Sequence, residues 1–335
     1  MHGAPAASHE PIGFIGLGAL GAPMAANLIH AGFPLTLHNR SREREAVLLA
    51  ALAQGSTARR AATPAEAAAG AGLLCLCLSD DAAVEEVVLG GAGAALQGLK
   101  PGALVVDFSS IGPATTRRLA EHCAARGVAW LDAPVTGGTE GARAGTLSVL
   151  VGGEACDLER ARPLLQVVGG RITHLGPVGS GQQAKAVNQV LVAGSYAALA
   201  EALALGQRLG LPMAELVAAL QGGAAGSWAL THRASHMLNG HFPLGFRLAL
   251  HRKDLTIALE AAAAAGLELP VSERVAALED SLISRGHGEE DVSALARWFS
   301  PATPPPAGPA GDSAGAGRPD RSGPADAAAR RDSGT

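Results

Sequence analysis

A glycine-rich turn near the N-terminus joins an apolar run to an amphipathic stretch. Ile12-Gly13-Phe14-Ile15 reads as a short strand and Gly16-Leu17-Gly18-Ala19-Leu20-Gly21 contains the turn. Residues 19–31 read as a helix, with Met24, Leu28 and Ile29 at helical spacing. The three glycines of the Gly-x-Gly-x-x-Gly pattern permit a tight turn, close approach of a pyrophosphate, and close helix–strand packing. The helix N-terminus adds unpaired N–H groups and a positive partial charge for that pyrophosphate. In this setting the motif predicts a dinucleotide-binding βαβ unit.

The pattern then repeats. Leu35–His38, Leu73–Leu78, Leu104–Asp107 and Ala129–Leu131 read as buried strands, and Leu147–Val151 and Ile172–His174 extend the sheet. Helices are expected over 42–53, near 82–89 and over 114–126, and from Thr63-Pro64-Ala65-Glu66, a cap with Pro at the first helical position. Alternation of this kind predicts a parallel sheet with helices on both faces, a Rossmann-type domain over residues 11–177. Beyond residue 178 no strand signal remains. One long Ala-rich helix to about 210 leads into helices broken at Gly222-Gly223, Asn239-Gly240, Gly266 and Gly286. The fold class is therefore α/β, joined by a long helix to an all-α C-terminal domain over 178–299. Residues 1–10 and 300–335 are expected to be disordered, the stretch 301–335 having no Val, Ile, Leu, Met, Phe, Trp, Tyr or Cys.

Composition narrows the function. Aromatic residues are 3% of the chain, too few for a stacking platform for single-stranded nucleic acid, and a net charge of −4 gives no basic field for phosphate backbones. The four cysteines form no CxxC pair; Cys75 and Cys77 read as buried small hydrophobes on one strand face. The first ten residues lack the pattern of a secretory signal, and the apolar stretch near 186–205 contains Asn188, Gln189 and Glu201. A cytoplasmic protein with no nucleic-acid or membrane partner is expected. His232 and His236 have helical ligand spacing but no completing carboxylate, so no metal is expected. Glu273, Glu279 and Asp280 read as a solvated helix face.

Three segments carry candidate chemistry. At the end of the second strand, an acidic residue would bind a ribose 2′-hydroxyl and repel a 2′-phosphate. This chain has Asn39-Arg40-Ser41 there, so NADP is expected over NAD, with Arg40 on the phosphate. Lys100, Lys185 and Lys253 are the only lysines, and a lysine, unlike arginine, can release a proton. Lys185, Asn188 and Gln189 share one helix face, an ammonium beside two amides, suited to protonating a carbonyl oxygen or simply to meeting solvent. Thr136-Gly137-Gly138 follows a strand and reads either as a turn whose backbone N–H groups receive a carboxylate or as a plain loop.

In combination these motifs resemble the β-hydroxyacid dehydrogenase family over residues 11–299. FIGLGALGAPMAANLIHAGF at 14–33 resembles the family's cofactor motif, with Leu20 in place of its usual Met. Asp107-Phe108-Ser109-Ser110-Ile111-Gly112-Pro113 is similar to the loop that places the residue matching Ser110 near nicotinamide and substrate. DAPVTGGTEGARAGTLSVLVGG at 132–153 is similar to the substrate signature, with Thr136 for the usual Ser and Gly137 and Gly138 as the carboxylate turn. Lys185 matches the catalytic lysine, Asn188 the first amide after it, and Lys253-Asp254-Leu255 the KDL motif, whose Lys lies near the active site and whose Asp is structural. Gln189, Gly222–Ser227, Gly245-Phe246-Arg247, Leu250-His251 and Asp291–Leu295 resemble the tartronate semialdehyde reductase branch, whereas Asn39 departs from it.

The resemblance implies reduction of a small semialdehyde acid, tartronate semialdehyde to glycerate, with Lys185 donating the proton. Ser110, Thr136, Gly137, Gly138, Asn188 and Gln189 would bind substrate. Gly16, Leu17, Gly18, Leu20, Gly21, Asn39, Arg40, Ser41, Ser110 and Lys253 would bind cofactor. It also implies a homo-oligomer, dimer or tetramer. The alternatives are 3-hydroxyisobutyrate or 4-hydroxybutyrate (succinic semialdehyde) as substrate pair, or a nucleotide-binding scaffold without catalysis.

Overall fold

A computed structural model describes residues 9–51 and 58–299. The disorder expected over residues 1–8 and 300–335, and the end of the helix expected over 42–53, lie outside the described residues. Residues 9 and 10, expected in a disordered start, are ordered. His9 stacks on Phe33 with centroids 4.0 Å apart, and Glu10 ion-pairs with Arg160.

The strands are β1 Ile12–Ile15, β2 Leu35–His38, β3 Arg59–Arg60, β4 Leu73–Leu76, β5 Leu104–Asp107, β6 Ala129–Asp132, β7 Val135–Thr136, β8 Leu147–Gly152 and β9 Gly169–Gly176. They form one sheet in the order β3-β2-β1-β4-β5-β6-β8-β7, with β9 paired to β8. From β3 to β6 the pairing is parallel and in simple register, Ile12 opposite both Leu35 and Leu73. The expected parallel sheet runs from β3 to β6; of the strands that extend it, β8 runs antiparallel to β6 and β7, and β9 parallel to β8. After β6 the chain makes the two-residue β7 and a seven-residue helix, then folds back with Thr136 opposite Ser148.

Helices α1 Gly21–His30, α2 Arg42–Ala51, α3 Pro64–Ala68, α4 Asp81–Leu89, α5 Ala95–Gly98, α6 Pro113–Ala124, α7 Gly138–Ala144 and α8 Ala155–Val168 accompany the sheet. α3 starts as its sequence predicts. The Thr63 hydroxyl accepts the Glu66 N–H at 3.1 Å, and the Glu66 carboxylate reaches back to the Ala62 N–H at 2.7 Å. Both sheet faces are buried. Phe14, Leu37, Cys75 and Val106 belong to one core, and Ile15, Leu74, Leu76, Val105 and Trp130 to the other. Cys77 lies past the end of β4 and is half-buried, so only Cys75 is the strand hydrophobe expected.

The second half is α9 Ser180–Arg208, α10 Met213–Gln221, α11 Trp228–Leu238, α12 Leu248–Ala264 and α13 Pro270–Ser284, closed by a 3₁₀ segment Val292–Trp298. Helix ends fall at the glycine breaks. Among the described residues α9 alone is long and apolar enough to cross a membrane, and it buries Gln182, Lys185 and Gln189, each hydrogen-bonded within the protein. Glu279 corrects the expectation of a solvated face. It is fully buried, with Oε1 2.6 Å from Nδ1 of the equally buried His251, because α13 packs that face on α12; Asp280 stays outside, paired with Arg252.

Candidate active site

The turn after β1 has the shape of a phosphate cradle. Gly16 has φ +101°, and a Cβ there would meet the Cys77 carbonyl oxygen at 2.2 Å. A Cβ on Gly21 would meet the Gly16 carbonyl oxygen at 1.9 Å. A Cβ on Gly18 has no neighbour nearer than Arg44 Nη1 at 3.9 Å, so that glycine opens onto free space in front of α1. Two glycines thus close the turn and the third leaves room for a ligand, which fits a dinucleotide pyrophosphate. The Leu17 N–H donates to Asn39 Oδ1 at 2.9 Å, and the Leu17 side chain is in the core, so its contribution is to hold the turn.

Asn39 is a bracket between turn and second strand. Its Nδ2 donates to the Ser41 carbonyl at 2.8 Å and its own N–H donates to Glu45 Oε1 at 2.8 Å. The buried Glu45 is paired with Arg42 and Arg60, so this carboxylate is neutralised. Arg40 is exposed; partial burial pushes the Asp80 pKa up, and hydrogen bonds from Ser79 and Ala83, then the charges of Lys253 and Arg40, bring it below the ordinary value.

Lys185 lies in the second turn of α9, buried, with Nζ donating to the Val135 carbonyl at 2.9 Å. Burial lowers its pKa below the ordinary lysine value; Asp254 opposes the fall and Lys253 adds to it. Asp254, also buried, accepts Gln189 Nε2 at 2.8 Å and pairs with Lys253 at 2.8 Å. Lys253 Nζ also donates to the Ser110 carbonyl. Asn188 Nδ2 donates to Gln189 Oε1 at 2.6 Å. Ser110, Lys185, Gln189 and Asp254 therefore line one narrow pocket with Ile111, Gln182 and Ile257, and Lys253 ties Ser110 to Asp254. Both ends of the Gln189 amide are engaged by protein, so it braces Asp254.

Sequence reasoning passed over the parts that hold this cluster. Asp132, at the end of β6, accepts the N–H groups of Gly179 at 2.7 Å and Gln182 at 2.9 Å, and so anchors the start of α9. Gln182 grips the loop after β5, accepting the Ile111 N–H at 3.2 Å and donating to the Ser109 carbonyl at 2.7 Å. Thr136 ends β7, Gly137 has φ +132°, and Gly138, the last residue of the expected turn, opens α7, a helix not expected from the sequence. The Phe246 ring centroid is 5.8 Å from Lys185 Nζ. No group of three or more metal-ligating side chains occurs among the described residues; His232 stacks on Trp228 instead.

A family profile described as the NAD binding domain of 6-phosphogluconate dehydrogenase matches residues 11–176. A second, described as the NAD-binding of NADP-dependent 3-hydroxyisobutyrate dehydrogenase, matches residues 179–299. The chain is 38% identical over 284 residues to the 2-hydroxy-3-oxopropionate reductase of Escherichia coli K12, a match covering 85% of this chain and 95% of that one. The chain belongs to the β-hydroxyacid dehydrogenase family. It is an NAD(P)-dependent oxidoreductase acting on hydroxyl groups. Another member of the family, the NAD-dependent L-serine dehydrogenase of Pseudomonas aeruginosa, is 38% identical over 303 residues, covering 87% of this chain and 98% of its own. Among solved structures, Mycobacterium tuberculosis 3-hydroxyisobutyrate dehydrogenase with L-serine superposes with a TM-score of 0.76 at 32% identity, covering 88% of this chain and 100% of that one.

Proposed function

We propose that this β-hydroxyacid dehydrogenase reduces the aldehyde of a small semialdehyde acid, tartronate semialdehyde to glycerate, with NADPH preferred. The observation that carries the reading is Lys185, a buried ammonium with lowered pKa, next to the Ser110 loop and one bond from the strand that ends at Thr136. Reduced nicotinamide, when bound, supplies the hydride. Lys185 Nζ gives its proton to the carbonyl oxygen and, while charged, stabilises the developing alkoxide. Thr136, Gly137 and Gly138 take the substrate carboxylate, and Ser110 borders the reacting carbon. Asn188 and Gln189 act through Asp254, which keeps an anion beside the ammonium. Gly16, Gly18, Leu20 and Gly21 form the pyrophosphate turn, Asn39 and Ser41 shape the ribose end, and Lys253 fixes the loop carrying Ser110.

NADPH is preferred on this reading because Arg40 is exposed at the ribose end, while the nearest buried acid, Glu45, is already paired twice. We place the enzyme in the cytoplasm, which fits four free cysteines, and in a homo-oligomer, which fits exposed Val187, Leu191 and Leu205 along α9 and Leu209 just past its end. The test is oxidation of NADPH and NADH, run in parallel with tartronate semialdehyde and then the semialdehydes of 3-hydroxyisobutyrate and 4-hydroxybutyrate. Fast NADPH oxidation with the first supports the whole reading. Turnover with another aldehyde only, or with NADH only, removes the substrate or the cofactor preference respectively.

A further inference from the structure

Asp291 is fully buried and directs both carboxylate oxygens at neighbouring loops. Its Oδ2 accepts the backbone N–H groups of Gly245 and Phe246 at 2.9 and 2.8 Å. Its Oδ1 accepts the Ser293 N–H at 3.0 Å and the Ser293 hydroxyl at 2.6 Å. The Val292 N–H returns a bond to the Phe246 carbonyl at 2.8 Å, so Phe246 is gripped on both sides of its backbone. Its ring has little freedom left: it meets His251 edge-on at 5.7 Å and has Lys185 Nζ 5.8 Å from its centroid.

The charge of Asp291 leads to a second element. Arg233 Nε lies 3.5 Å from Asp291 Oδ1, and Arg233 Nη2 donates to Glu140 Oε1 at 2.7 Å. Glu140 belongs to α7, the helix that Gly138 opens. Gly245 is a glycine for a visible reason, since a Cβ there would meet Arg233 Nη2 at 2.3 Å. One chain, from the exposed Glu140 through the buried Arg233 to the buried Asp291, thus joins the Gly137–Gly138 turn to the aromatic wall beside Lys185. A buried carboxylate with this many partners is costly to assemble and rigid once satisfied.

We infer that Asp291 is a positioning residue: through the Gly245 and Phe246 amides it holds the Phe246 ring beside Lys185, and through Arg233 and Glu140 it fixes that wall to the Gly137–Gly138 turn. The inference rests on Lys185 as the proton donor, and it adds what keeps the donor dry and at a set distance from the carboxylate turn. The groups facing Lys185 are Asp254 and Lys253 from α12, the Val135 carbonyl from β7 and the Phe246 ring.

The test uses full-length protein carrying ¹³C at the lysine side chains, of which there are three, with Lys185 assigned by its loss in Lys185→Met. Asp291→Asn leaves either the two amides or Ser293 facing an NH₂ group and removes one of the two carboxylates paired with Arg233. With the wall loosened, water reaches Lys185, and its titration moves up toward the ordinary lysine range by about one pH unit. On the aldehyde the wild type reduces, kcat/KM falls about ten- to a hundredfold, chiefly in kcat, while the NADPH Kd stays within about twofold. Phe246→Leu keeps every Asp291 bond and shifts Lys185 the same way; it carries the test should Asp291→Asn fail to fold. Lys185 titrating as in the wild type in either folded variant overturns the inference, however far Tm has dropped. A wild type that reduces no aldehyde removes the proposed reaction, while the lysine titrations still decide this point.

Discussion

Asp107 ends β5 in full burial, and replacing it with Asn makes a prediction whose sign depends on pH. Its Oδ1 accepts the Ser109 N–H at 2.9 Å, and its Oδ2 has no hydrogen-bond partner among the described residues. Burial first, and the carboxylates of Asp132 and Asp81 after it, push its pKa up from 3.8 to about 7. Between these values the folded chain keeps a proton that the unfolded chain has released. Stability from this group is therefore fully present below about pH 4 and declines by about 1.4 kcal/mol per unit as pH rises toward 7. From pH 5 to pH 8 the loss is about 2.7 kcal/mol. Asp107→Asn keeps an oxygen for Ser109 and carries no charge at any pH. Urea unfolding of both proteins at pH 5, 6, 7 and 8 measures the effect, and because they share every other titrating group, the difference isolates Asp107. The variant should gain on the wild type by about 2.7 kcal/mol across that range. Stability curves that run parallel from pH 5 to pH 8 would refute the buried, proton-holding carboxyl.

Three other substitutions test the site. Lys185→Met should lower kcat by about a hundred- to ten-thousandfold, with NADPH affinity by calorimetry unchanged; wild-type turnover would exclude Lys185 from proton transfer. Gly21→Ala puts a methyl 1.9 Å from the Gly16 carbonyl oxygen, so the turn must open, and both Tm and dinucleotide affinity should fall. Arg40→Leu should raise KM for NADPH about tenfold or more and leave that for NADH within about twofold; equal changes for both would place the guanidinium away from the 2′-phosphate.

Elements with a period were legible in the sequence, and those without one were not. β1, β2 and β5 begin and end where the apolar runs do. β3 and β7 have two residues each, too few for alternation to register. The direction of β8 is not written in its own residues, since an apolar run reads the same both ways; it follows from the short path through α7. Helical spacing located faces but not what lies opposite them. It placed Glu279 on the outside, where α12 turned out to be, and it placed Gln189 on the Lys185 face without showing that Asp254 and Asn188 engage its amide. Asp132, Gln182 and Asp291 each reach partners 45 or more residues away, a distance over which no local pattern extends.

α9 begins at the sheet and runs through the helical half to an exposed end at Arg208. Its first turn is bolted to β6 by Asp132 and to the β5 loop by Gln182, and Lys185 follows within one further turn. The remaining residues to Arg208 form a spar of roughly 35 Å on which the other helices are mounted. Mechanically, the lysine sits at the fixed end of a cantilever. The ammonium is three residues from the Gln182 anchor on the sheet, whereas the helices of the second half are mounted on the residues that follow it.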